Sequence, residues 1–169
     1  MSTGRAWGRE LAALLLRGAI GATMIAHGVK HGRTPQGTAG WFESIGFRQP
    51  ALQARASAVV EVGSGLALLA GGGTPLAAGA VVGTMAVAAR SVHQPNGFFV
   101  NAEGWEYVAN LAVASVALAA LGPGRYSVDR VTGMDRWLHG PAAGGVAASV
   151  GLVAAAGQLA VFWRRPAGS

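Results

Sequence analysis

Cysteine is absent from the 169 residues, so this chain has no disulfide framework, no thiolate metal site and no redox-active pair of thiols. Charge is scarce as well: Asp, Glu, Lys and Arg make up 12% of the residues, about half of the roughly 25% usual in a soluble domain. Lysine occurs once, at Lys30, and the arginines are scattered one or two to each hydrophilic gap. The net charge of +6 is therefore read as flanks and loops of membrane spans; a nucleic-acid partner, which needs a basic stripe, is excluded. The deficit is filled by Ala, Gly, Val and Leu in long blocks, which raise the hydrophobic share to 51% and the mean hydropathy to +0.39.

A membrane span takes about 20 mostly apolar residues, and five such blocks can be marked, at 11–29, 56–71, 75–92, 105–121 and 142–163. The expected fold class is all-α and polytopic, with a unit over 11–129, a polar connection over 130–141 and an additional transmembrane helix over 142–163. Gly71-Gly72-Gly73-Thr74-Pro75 predicts a tight helical hairpin, since glycine permits the reversal and proline suits a first helical position. Gly122-Pro123-Gly124 ends the fourth block for related reasons. Arg5 and Arg9 precede the first block as in a secretory signal, but the block is long, contains Arg17 and shows no small-x-small cleavage site, so an uncleaved span is expected. Between Lys30 and Arg55 the aromatics Trp41, Phe42 and Phe47 predict a short interfacial helix or turn. Gly18, Gly21, Gly63, Gly65, Gly144, Ala148 and Gly151 are candidates for close helix packing.

Ionisable residues at membrane depth are functional suspects. Alternating spans bring the end of the first, the start of the second, the end of the third and the start of the fourth to one side. That side should gather His27, His31, Glu61, Arg90, His93, Glu103 and Glu106, with Asn110 one turn beyond Glu106. Together with Arg17, part way along the first span, the candidate polar cluster is Arg17, His27, Glu61, Arg90, His93, Glu106 and Asn110. Carboxylates beside imidazoles and an arginine can pass protons, hold quinone carbonyls or ligate a metal. The structural alternative is a buried ion pair of Glu61 with Arg17 or Arg90. His27 and His93 as axial haem ligands are disfavoured, and no metal site is assigned, because no tight ligand spacing is present apart from His27 and His31.

Several stretches resemble the DoxX family of small bacterial membrane proteins. Arg17-Gly18-Ala19-Ile20-Gly21 and His27-Gly28-Val29-Lys30 are similar to its first span, Trp41-Phe42 before Gly46 to its aromatic pair, and Glu61-Val62-Gly63-Ser64-Gly65 to its second span, with Ser64 where glycine is frequent. Gly104-Trp105-Glu106-Tyr107 and the close Gly122, Pro123, Gly124, Ser127, Asp129 are similar to its fourth span and helix-terminating motif. The resemblance, over about Leu11 to Asp129, implies a four-helix bundle with its amino terminus in the cytoplasm of a bacterium, in the plasma membrane, to which the fifth span is an addition. It also implies association with membrane oxidoreductase systems, including thiosulfate:quinone oxidoreductase, and with superoxide dismutase and a thiosulfate sulfurtransferase in oxidative and thiol stress.

The distribution of basic residues, five on the amino-terminal side and seven on the other, leans against that orientation; the resemblance is followed here. Ser127 and Asp129 are expected to cap the segment after the fourth span, or Asp129 to pair with a nearby arginine. The functional expectation is a membrane subunit of a redox or thiol-stress system with quinone at the charged end. Two alternatives stay open, a scaffold for peripheral redox enzymes and a small-molecule exporter built on an intramembrane Glu and Arg, as does the question of whether the chain is an enzyme. The bilayer is the expected partner, and homo-oligomerisation is compatible with each reading.

Overall fold

The computed structural model describes residues 3–166, with the side chains of residues 3 and 5 outside the described set; the flanking Arg5 falls there. Seven α-helices follow in order: α1 Thr3–Arg33, α2 Pro35–Ser44, α3 Pro50–Ala70, α4 Thr74–Ala88, α5 Glu106–Leu121, α6 Val128–Thr132 and α7 Gly140–Phe162. A π-helical turn, Ala89–His93, and a 3-10 turn, Gln94–Asn96, prolong α4. Among the described residues there is no strand, only an isolated antiparallel bridge between Phe47 and Trp163. Prolines open α2, α3, α4 and α7 within their first two positions, where the missing N–H costs no helical bond. The hairpin expected at 71–75 is present. Gly71, at φ +66°, closes α3 with its N–H on Leu68 O at 3.0 Å and the N–H of Gly72 on Ala67 O at 2.9 Å, a left-handed cap that glycine accepts without strain.

Among the described residues, three stretches are long and apolar enough to cross a membrane: Ala6–Arg33, Thr74–Asn96 and Gly140–Phe162. α5 is apolar but shorter. α3 has 21 residues but carries Gln53, Arg55 and Glu61 within them. Leu11, Leu15, Val59, Leu66, Val113 and Val153 stand exposed along these helices, an apolar exterior suited to lipid. The short helix expected between the first two blocks is α2, which lies back on α3.

α1 runs antiparallel to α3, with Gly21 against Gly65 and Gly28 against Ala58 and Glu61. α4 runs parallel to α7, with Gly79 against Ala147 and Gly83 against Gly151. α3 and α5 each lie against both α1 and α4, and α5 also meets α7. Of the small residues named from sequence, Gly21, Gly65, Gly144 and Gly151 sit at such contacts, while Gly18 and Gly63 face open space. Ile20, Met24, Leu68, Val81 and Leu118 form the central core, and Phe42, Phe47, Ala54, Val87 and Ala155 form a second one near the other end. That end is fastened by the chain itself: Arg48 N–H donates to Phe162 O at 2.7 Å, Arg164 N–H to Gly46 O at 3.0 Å, and Trp163 Nε1 to Ile45 O at 2.8 Å.

Candidate functional site

The polar residues named from sequence do not converge on one cluster; they divide between the two ends of the helix array. Arg17 departs furthest from expectation. Side chains on an α-helix lean toward its amino terminus, and Arg17, 5% exposed, reaches that way, toward the end opposite the histidines. Its Nε donates to Leu68 O at 2.9 Å, one terminal nitrogen to Pro123 O and Tyr126 O, both at 2.8 Å, and the other to Leu69 O. The expected Arg17–Glu61 pair is therefore not formed: the planar guanidinium instead donates to carbonyls where α3 ends and where the chain turns after α5, adding a second donor at Leu68 O beside the Gly71 N–H.

The helix-terminating motif completes this socket. Asp129 is buried, and its Oδ1 and Oδ2 accept from the N–H groups of Gly73 at 2.6 Å and Thr74 at 2.9 Å. A carboxylate at the start of α4 is stabilised by the positive end of the helix dipole. Asp129 therefore caps α4 and not the segment after the fourth span; among the described residues no arginine nitrogen comes within ion-pair distance of it, although its charge acts on Arg17 through space. Ser127 Oγ accepts from Arg130 N–H at 3.2 Å and caps α6. Gly122 and Gly124 take φ of +91° and +82° around buried Pro123. A Cβ on Gly71 would stand 2.6 Å from Ser127 Cβ and 2.9 Å from the Arg17 guanidinium carbon, so the socket requires glycine there. Glu10, which the sequence reading passed over, is buried, and its carboxylate accepts from Arg125 N–H at 2.9 Å and Tyr126 N–H at 3.4 Å. The available signal was a carboxylate in the first turns of an apolar helix.

At the other end the polar groups form three separate sets. Glu61, buried on α3, accepts from Ser57 Oγ at 2.7 Å, and His31 Nδ1 lies 3.0 Å from its Oε2. That oxygen is buried without a hydrogen-bond partner, and the same His31 Nδ1 stands 3.2 Å from Ser57 Oγ. The His31 ring stacks on Trp41 with centroids 6.3 Å apart and meets Phe42 and the exposed His27 edge-on. Arg90 lies with its guanidinium carbon 4.7 Å from the Trp163 ring centroid. His93 Nδ1 is 2.6 Å from Glu103 O, Glu106 Oε2 accepts from Val100 N–H at 3.0 Å, and Asn110 is exposed on α5. Glu61 and Glu106, both placed at the charged end from sequence, sit on α3 and α5, each of which lies against α1 and α4.

A family model described as DoxX matches residues 12–94. The chain belongs to the DoxX family. No curated protein and no solved structure matches it. The DoxX match spans α1 to the π turn and takes in Arg17, His31 and Glu61; Gly104 to Asp129 and α7 lie beyond it. In this DoxX protein most buried polar side chains are committed to main-chain partners. The group with chemistry to spare is His31–Glu61–Ser57, a carboxylate and an imidazole close enough to share one proton. No three His, Asp or Glu side chains among the described residues stand together as a metal ligand set.

Proposed function

We propose that this DoxX protein is an integral subunit of a plasma-membrane redox or thiol-stress system, a four-helix bundle of α1, α3, α4 and α5 with α7 added, and that His31 and Glu61 receive a quinone headgroup. The carrying observation is the 3.0 Å approach of His31 Nδ1 to a buried carboxylate oxygen that no hydrogen bond claims. The residues fit such a group: the half-buried imidazole keeps its second nitrogen for a carbonyl oxygen, Trp41 offers an apolar face beside it, and Glu61 can hold the proton that the ring releases or takes up. A bound quinone would supply two-electron, two-proton redox chemistry. Ser57 orients the carboxylate, and the pairing of Gly28 with Glu61 Cβ holds α1 close enough for the contact.

The test is purification from the native membrane in mild detergent, with the absorption spectrum and the mass of every extractable small molecule recorded on one sample. Stoichiometric quinone that is lost in Glu61→Gln, in protein of unchanged helicity, is the expected result. A sample free of quinone and chromophore overturns it. The commitment of Arg17, Glu10 and Asp129 to backbone atoms favours a second reading, a non-catalytic anchor for peripheral enzymes of the superoxide dismutase or sulfurtransferase kind. On that reading, Glu61→Gln weakens assembly and changes no bound molecule.

A further inference from the structure

At the amino-terminal end of α1, two cavities adjoin. One, of about 600 Å³, opens between α1 and the Gly122–Arg125 turn, and its wall carries Arg9, Arg125, Arg130 and His139. The other, of about 420 Å³, is walled by Pro75, Leu76, Ala119, Met134 and Trp137. Pro123, Asp135 and Leu138 line both.

The basic side chains keep donors in reserve. Arg9 makes one long bond, 3.3 Å, to Leu121 O, and the Arg125 guanidinium lies over the Tyr126 ring with no hydrogen bond among the described residues. Of the two carboxylates in the first cavity, Glu10 is occupied by the N–H groups of Arg125 and Tyr126. Asp135 holds Arg130 through Oδ2 at 3.0 Å, whereas its Oδ1 is buried without a donor. The cavity therefore presents three arginines against two carboxylates that are already engaged, a net positive charge. It opens where the apolar helices end, with Trp7 64% and Trp137 90% exposed, as aromatics stand at headgroup depth.

We propose that this pair of cavities binds one anionic phospholipid of the phosphatidylglycerol type. The phosphodiester lies among Arg9, Arg125 and Arg130, and an acyl chain enters the apolar cavity beside Leu76 and Trp137. Charge complementarity selects the acidic lipid, and the joined apolar cavity selects an amphiphile over a free phosphate. This does not depend on His31 or Glu61, so it stands or falls separately from the redox proposal.

The test uses the full chain, delipidated in detergent and titrated with phosphatidylglycerol, phosphatidylcholine or glycerol 3-phosphate, with bound lipid counted by native mass spectrometry. One phosphatidylglycerol per chain is expected, preferred roughly tenfold over phosphatidylcholine, with the preference abolished in Arg125→Gln/Arg130→Gln. Arg33→Gln/Arg55→Gln, which removes the same charge from exposed positions at the other end, should keep it, and Trp137→Ser should weaken retention of both lipids. Equal retention of the two lipids overturns the proposal, as does a preference that survives in Arg125→Gln/Arg130→Gln. Glycerol 3-phosphate binding as well as phosphatidylglycerol also overturns it, because that result describes a soluble-phosphate site.

Discussion

Arg17 offers a planar fork of donors to four main-chain carbonyls drawn from two segments far apart in sequence. Such a group ties the end of α3 to the turn after α5, adding a second donor at Leu68 O and supplying the donor for Leu69 O, Pro123 O and Tyr126 O. Arg17→Ala should cost about 3 kcal/mol or more, read as loss of thermal stability in detergent, and Arg17→Lys should recover only part of it, since an ammonium cannot match the fork. Asp129→Asn should cost about 2 kcal/mol, because two charge-assisted bonds to the start of α4 weaken together; an unchanged melting temperature would remove Asp129 from the socket. The importance of Arg17 was legible as a charge inside an apolar block. Its partners were not, because carbonyl oxygens belong to every residue and leave no mark in the sequence. Glu10 was hidden for the same reason, its ligands being two backbone N–H groups. His31 and Glu61 were both visible, and alternation of the spans placed them at one end; that they meet each other while Arg90 meets Trp163 was decided by which helices touch.

Helix pairs in this molecule approach through glycine. On Gly151 a Cβ would stand 2.6 Å from Gly79 O and from Val82 Cβ, and on Gly65 it would stand 2.6 Å from Gly21 O. Neither backbone can yield without moving its helix. Gly151→Leu and Gly65→Leu should each cost about 2 kcal/mol or more through overpacking, whereas Gly63→Leu, which faces open space, should stay within about 0.5 kcal/mol of the parent. Equal melting temperatures for Gly151→Leu and Gly63→Leu would contradict the parallel α4–α7 contact. The helices themselves were legible because apolar blocks and proline or glycine boundaries are local signals. Which glycines face a neighbour was not: nearly every span carries several, and only the crossing distinguishes Gly65 from Gly63. Gly28, Gly79 and Gly83 became visible as contact residues only in the assembled helices.

Across the whole molecule, α1, α4 and α7 point one way and α3 the other, as the contacts Gly21–Gly65 and Gly28–Ala58, the contacts Gly79–Ala147 and Gly83–Gly151, and the tight reversal between α3 and α4 fix. The turns after α4 and after α6 therefore lie at opposite ends. Because the chain has no cysteine, single substitutions report cleanly: Asn101→Cys and Arg136→Cys, both at exposed positions, should differ in reaction with a membrane-impermeant thiol reagent in sealed cells. A cytoplasmic amino terminus requires Asn101→Cys to be the one labelled, and labelling of Arg136→Cys alone would reverse the orientation. The strap in which residues 162–164 pair with residues 46–48 also has a meaning for biogenesis. Residues 162–164 come at the end of α7 in the chain, so the order of synthesis makes this clasp a late event: Phe47 can already pack on Phe42, Ala54 and Val87 once α3 and α4 are in place, and the Trp163 and Arg164 bonds then fix α2 against the end of α7.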